Sequence, residues 1–273
     1  MRYIFTALRQ EAAVLIRELD LKPCNISLQC YQNDNTILTV TGTGPYSAAA
    51  ACGAVLCRAD KNGSDLVINA GIAASLRGAA KGSLYTVNRI HDCSSGRDYY
   101  PDLVPLSGYP EAGLCTGAVP YHTGDPIIDE PGNGPLLYDM EGAGFYHAAS
   151  LFLSPHRIRL LKLVSDFGDT DKLTFDPAWA EKLSEAVLAE AERMETVPAR
   201  PAKRMPDCDA LCSELHATAA MRARLEQALR YAELSGINWQ AMEEAYRRKG
   251  LLPANDKETG KKLLEDFIHE LQD

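Results

Sequence analysis

An α/β fold is predicted by three features of the first two hundred residues. Short β-rich runs alternate with helical stretches. Small or acidic residues stand directly after several of those runs. One run, Arg157–Val164, is apolar enough through Leu160, Leu161, Leu163 and Val164 to lie inside a sheet. Strands alternating with helices imply a mixed or mostly parallel sheet covered on both sides. Ligands of such sheets gather beyond the carboxyl ends of the strands.

In chain order, Arg2–Leu8 reads as a strand and Arg9–Leu19 as a helix with apolar Ala12, Val14, Leu15, Ile16 and Leu19. Ile26–Cys30 and Thr36–Val40 are strands around the turn-forming Asn33-Asp34-Asn35. Pro45–Leu56 is a helix and Asp65–Asn69 an apolar strand. Gly82–Ile90 and Leu114–Tyr121 are further strands. Leu136–Tyr138 leads into a helix over Glu141–Leu153, and Trp179–Met194 is a long helix.

Three prolines between Val197 and Pro206 interrupt any apolar periodicity. The expected organisation is a catalytic domain over 1–197, a linker over 198–206 and a helical extension over 207–273. That extension reads as helices Cys208–Leu234, Trp239–Lys249 and Lys257–Leu271. It holds 11 cations and 13 anions from position 201 on, against 17 and 24 before it, so the charge sits in the first part.

The net charge of -9 argues against nonspecific nucleic-acid affinity, which needs clustered cations. Arg247-Arg248-Lys249 is short and reads as an ordinary helix surface. No apolar run is long enough to span a membrane, and the charges after Leu8 argue against a signal peptide; a cytoplasmic protein is expected. Eight scattered cysteines do not form a disulfide framework. Cys208, Cys212 and His216 share a helical face, but no second Cys/His pair stands at zinc-site spacing.

Four segments carry chemistry. Thr41-Gly42-Thr43-Gly44-Pro45 places glycines before a helix N-terminus; a tight turn is the plainer explanation. Asn69-Ala70-Gly71-Ile72-Ala73-Ala74 ends an apolar run with small residues, as packing or a flat ligand would require. In Asp139-Met140-Glu141-Gly142-Ala143, Glu141 opens a helix, where a carboxylate suits the free N–H groups and could equally grip a vicinal diol. Ser165-Asp166-Phe167-Gly168-Asp169 follows the interior strand, so Asp166 either lies in the cleft as a proton donor or caps the next element.

These segments, in this order, resemble the purine nucleosidase and nucleoside phosphorylase superfamily. Its methylthioadenosine/S-adenosylhomocysteine nucleosidases and futalosine hydrolases are the most similar branch. Tyr138-Asp139-Met140-Glu141-Gly142-Ala143 and Leu163-Val164-Ser165-Asp166 carry the resemblance most specifically. Thr43-Gly44-Pro45, Asn69-Ala70-Gly71-Ile72-Ala73 and Thr123-Gly124-Asp125-Pro126-Ile127-Ile128 support it. The resemblance implies a three-layer α/β/α nucleoside phosphorylase-like fold with a mixed central sheet curling toward a barrel. It implies that Asp166 is the general acid to the purine and that Met140 and Glu141 meet the ribose. Ile128 and Ile127 would lie against the base. Ala73, Ala74 and Ser165 would complete the pocket, and Glu11 would activate water. Thr43, Gly44 and Arg9 are candidate anion contacts.

The implied reaction is hydrolysis of a purine nucleoside with water as acceptor. Phosphorolysis is the runner-up, and a binder without catalysis the third reading. Glu11 would repel phosphate, and no clear phosphate loop exists. Ile127 stands where the nucleosidases place an aromatic residue, so ring stacking on the base is lost there. No metal or organic cofactor is needed for this chemistry, and a homo-oligomer is expected.

Overall fold

The computed structural model describes residues 1–26, 29–57, 64–126, 133–169, 174–197 and 207–271. The chain divides into two compact units, Met1–Ala202 and Lys203–Asp273. The expected linker, 198–206, lies outside the described residues, as do Ile127 and Ile128.

The first unit opens with β1 (Arg2–Thr6) and α1 (Arg9–Glu18). Three short antiparallel neighbours follow, β2 (Lys22–Cys24), β3 (Cys30–Gln32) and β4 (Thr36–Val40). Then come α2 (Pro45–Leu56), β5 (Leu66–Arg77), β6 (Leu84–Asp92), β7 (Arg97–Tyr99), β8 (Glu111–Thr116) and β9 (Leu136–Asp139). The unit closes with α3 (Gly142–Ser150), β10 (Ile158–Asp166) and α4 (Pro177–Glu195). Pro45 and Pro177 occupy first-turn positions, where a missing N–H costs nothing.

The sheet runs β10-β6-β8-β9-β5-β1-β4-β3-β2, with β7 beside β6. A further pairing of β10 with β5 closes five of these strands, β5, β10, β6, β8 and β9, into a ring. β5 makes this closure. Its first residues pair with β1, its middle with β10 and its last, Ala74 to Arg77, with β9. The sequence suggests a strand ending at Asn69; instead the ladder continues through the small residues that looked like a turn.

The period-two alternation of strands sorts the core into two layers. Tyr3, Phe5, Val67, Leu160 and Val164 pack with α2 and α3. Ile4, Ile68, Leu161 and Leu163 pack with α1 and α4 on the other face. Phe5 and Phe145 meet with ring centroids 5.6 Å apart, both fully buried, and each such side chain contributes about 1.5–3 kcal/mol. This is the three-layer arrangement with a mixed sheet.

Two other expectations are corrected, and two short strands are added. The strand expected over Leu114–Tyr121 begins earlier and stops at Thr116, opposite Asp139, where its neighbour β9 also ends. β2 and β7, three residues each, carry too little pattern to be read, and Pro23 in β2 fits an outer strand. In the second unit the single helix expected over Cys208–Leu234 is two, α5 (Asp209–Glu214) and α6 (Ala219–Ser235). His216 takes a left-handed φ of 48° between them, and the Thr218 hydroxyl accepts the Met221 N–H at 3.4 Å to cap α6.

The second unit continues with α7 (Trp239–Arg248) and α8 (Lys257–Glu270), around a core that includes Leu225, Leu229, Trp239, Tyr246, Leu264 and Phe267. Tyr231 is exposed. Arg247 pairs with Glu214 and Glu243. The Cys212 and Cys208 sulfurs lie 3.7 Å apart, while His216 Nε2 lies 3.0 Å from the Ala254 carbonyl. Among the described residues no group of His, Cys, Asp and Glu is arranged to hold a metal. No helix among them is long and apolar enough to cross a membrane.

Candidate active site

Glu11 stands in the first turn of α1 and is buried. Its Oε2 accepts the Leu8 N–H at 2.8 Å, satisfying a free donor at the helix start. Its Oε1 accepts the Ile72 N–H at 2.9 Å, from the middle of β5. Gly71 makes room for it: a Cβ there would lie 2.9 Å from Oε1. Burial pushes the Glu11 pKa up, against the backbone N–H groups of Leu8, Ile72 and Ala7 and the Lys162 charge, which hold it down.

Glu141 precedes α3, and its Oε1 accepts the Gly44 N–H at 2.8 Å. Gly42 and Gly44 have φ of 78° and 99°, a region other residues rarely adopt. The N–H of Gly44, a candidate anion donor, is thus occupied by a carboxylate. Burial first, and the nearby Asp139 charge second, push the Glu141 pKa up to about 7.

Lys162 and Asp139, which carry no role in the motifs above, complete this cluster. Lys162, in the middle of β10, places Nζ 2.8 Å from Asp139 Oδ2. Asp139 also accepts from the Thr116 hydroxyl at 2.7 Å and the Gly142 N–H at 2.9 Å. Lys162 is 1% exposed. Burial works against its ammonium, but Asp139, Glu141 and Glu11 together raise its pKa. The signal was present: Lys162 is the one charge inside the apolar run Leu160–Val164, and a buried charge requires partners.

Asp166 ends β10 through an irregularity. Val164 pairs with Ala73 and Asp166 with Ala74, leaving Ser165 as an extra residue. Such bulges re-aim side chains. Here Asp166 Oδ1 accepts the Gly168 N–H at 2.8 Å, and Ser165 Oγ lies 2.6 Å from Asp166 Oδ2 and 3.2 Å from the Ala73 carbonyl. Asp166 is partly buried and Ser165 fully.

The structure places Glu11, Ala73, Ala74, Ser165 and Asp166 along the β5–β10 ladder and Glu141 at the start of α3, with Met140 between Asp139 and Glu141 and half-buried. Thr43 lies in the Gly42–Gly44 turn. Arg9 is exposed and makes no hydrogen bond or ion pair among the described residues.

No protein-family model and no curated protein sequence matches the chain. Solved structures do. The 5'-methylthioadenosine/S-adenosylhomocysteine nucleosidase of Neisseria meningitidis, in complex with methylthio-immucillin-A, is 19% identical, with a TM-score of 0.54, over 72% of this chain and 97% of that one. The S-adenosylhomocysteine nucleosidase of Streptococcus pyogenes gives 19% and 0.54 over the same shares. An MTAN of Chlamydia trachomatis bound to adenine is 23% identical, TM-score 0.54, over 71% of this chain and 98% of that one. Over some seven-tenths of its length, 71–72% in these comparisons, the chain has the nucleoside phosphorylase-like fold of these nucleosidases.

Proposed function

We propose that the chain is an N-ribosyl hydrolase that cleaves the glycosidic bond of purine nucleosides. The observation that carries this reading is that two carboxyl-bearing residues from different elements, Glu11 of α1 and Asp166 of β10, meet one stretch of β5. Glu11 is held at Ile72, and Asp166 pairs with Ala74. These backbone points are two residues, about 7 Å, apart. A sugar carbon and an attacking water can lie between an acid on one side and a base on the other, as in other two-carboxylate glycoside hydrolyses.

Asp166 gives a proton to N7 of the purine, which leaves with the electron pair of the glycosidic bond. The sugar becomes oxocarbenium-like. Glu11 orients a water and takes its proton as the new C–O bond forms at C1'. Each Glu11 oxygen uses one lone pair on the backbone and keeps another. Ser165 follows the proton: its single hydrogen can go to the Ala73 carbonyl while Asp166 is protonated, or to Asp166 Oδ2 once that proton has left. Glu141 would hold the ribose hydroxyls, beside Met140.

Water is favoured over phosphate by charge. The cluster sets Glu11, Asp139 and Glu141 against one buried cation, Lys162, which is already paired with Asp139. An incoming phosphate would meet excess negative charge. The test is the sugar product formed from inosine or methylthioadenosine in phosphate buffer. Free sugar carrying oxygen from labelled water supports the hydrolase. Sugar 1-phosphate overturns it in favour of a phosphorylase, and saturable nucleoside binding with no product points to a binder.

A further inference from the structure

The strand register gives a bound nucleoside a direction. Along β5, Ile72 holds Glu11, Ala73 faces Ser165 and Ala74 pairs with Asp166. The next residue on each side, Ser75 on β5 and Phe167 after β10, lines a cleft of about 740 Å³ that also takes in Arg77, Tyr121, Thr123 and Asp125. Ligand pockets span roughly 300–1,000 Å³.

The far wall is held in place. Thr123 donates its N–H to the Gly168 carbonyl at 2.7 Å and its hydroxyl to the Phe167 carbonyl at 2.9 Å. A side chain on Gly168 would run into the Tyr121 ring, itself tilted against Tyr138 with centroids 5.6 Å apart. Phe167 remains 44% exposed, an aromatic face turned out of the core. Asp125 is engaged by its own loop, accepting the His122 N–H at 2.8 Å. Arg77 donates from Nε to the Gly134 carbonyl at 3.3 Å. Among the described residues, no carboxylate lies within ion-pair distance of it.

We propose that this cleft is a subsite for a carboxylate-bearing substituent at the 6-position of the departing purine, held by Arg77 and laid against Phe167 and Tyr121. The inference rests on the nucleosidase reading and extends it to a substrate class. N7 and the 6-substituent share one edge of a purine. A base whose N7 meets Asp166 therefore sends its 6-substituent past that residue, between Ser75 and Phe167. Arg77 offers a planar fork that matches a carboxylate. The two aromatic rings supply apolar surface beside the base. An unsubstituted adenine or hypoxanthine leaves the cleft to water.

The experiment compares kcat/KM for base release from N6-(1,2-dicarboxyethyl)adenosine and adenosine, in the wild type, Arg77→Met and Arg77→Lys. The wild type is expected to favour the carboxylated nucleoside by about tenfold or more. Arg77→Met should collapse that ratio toward one, and Arg77→Lys should leave an intermediate value. A wild-type preference for adenosine, or a ratio unmoved by Arg77→Met, overturns the proposal. Should no nucleoside be cleaved, the nucleosidase reading fails, and calorimetry with N6-(1,2-dicarboxyethyl)adenine decides the cleft by itself. Binding weakened about tenfold by Arg77→Met supports the subsite, whereas absent or unchanged binding refutes it.

Discussion

The carboxylate of Glu11 accepts the N–H of Ile72 at 2.9 Å, tying the first turn of α1 to a strand 61 residues further along the chain. Gly71 permits it, since a Cβ there would stand 2.9 Å from Glu11 Oε1 and 3.4 Å from its carboxyl carbon. With both Glu11 oxygens already held, the side chain has little freedom to retreat. Gly71→Ala is expected to cost about 1–3 kcal/mol of stability, as overpacking does. It should also lower kcat for base release about tenfold or more while changing KM little. Thermal unfolding and steady-state kinetics on one preparation check both.

Lys162 neutralises a cluster that is otherwise entirely acidic. Lys162→Met leaves Glu11, Asp139 and Glu141 buried without their cation, and removing one partner from such a set costs about 3–5 kcal/mol. The loss should be largest near pH 8 and shrink toward pH 5, where the carboxyl groups accept protons. Denaturant titrations at both values test this, and a loss independent of pH contradicts it.

Glu141 gives a second pH signature. Its folded pKa, about 7, lies above its ordinary 4.5, so the folded state binds the proton more tightly than the unfolded one. The group's favourable contribution is complete below pH 4.5 and is lost as pH rises through 7, a change of about 3 kcal/mol. Glu141→Gln should therefore gain stability relative to the wild type as pH rises from 4.5 to 8. If Glu141 holds the ribose as proposed, KM for a ribonucleoside should fall in the wild type as pH rises through 7, because an ionised carboxylate accepts more strongly from hydroxyls. Stability curves at four pH values and a KM profile measure the two effects.

The Gly44–Glu141 hydrogen bond depends on close packing of α2 against α3. A Cβ on Gly144 would collide with the Pro45 carbonyl, so no side chain fits at the crossing. Gly144→Ala should force the helices apart, destabilise the first unit and raise KM, with kcat less affected. An unchanged KM would show that Gly44 does not position Glu141.

Much of this arrangement is legible in the amino-acid sequence. α2 runs from Pro45 to Leu56, as the apolar pattern indicates, and β10 is the interior strand that Leu160, Leu161, Leu163 and Val164 predict. What was hidden depends on distant partners. Gly71, Ala73 and Ala74 look like a strand terminus, yet β5 continues because its neighbours change from β1 and β10 to β9 along its length. Gly71 is small because the Glu11 carboxyl lies against it. Asp139 stood in the motif without a role because Thr116 and Lys162, from two other strands, give it one. Likewise, periodicity carried one helix through His216, where the chain turns through a left-handed residue.

The most direct test is free-base release from purine nucleosides in phosphate-free buffer, comparing the wild type with Asp166→Asn and Glu11→Gln. The account predicts release by the wild type and a loss of about 10²–10⁴-fold in each variant, the range general acid–base groups supply, with both variants still folded. Undiminished release by Asp166→Asn would contradict it.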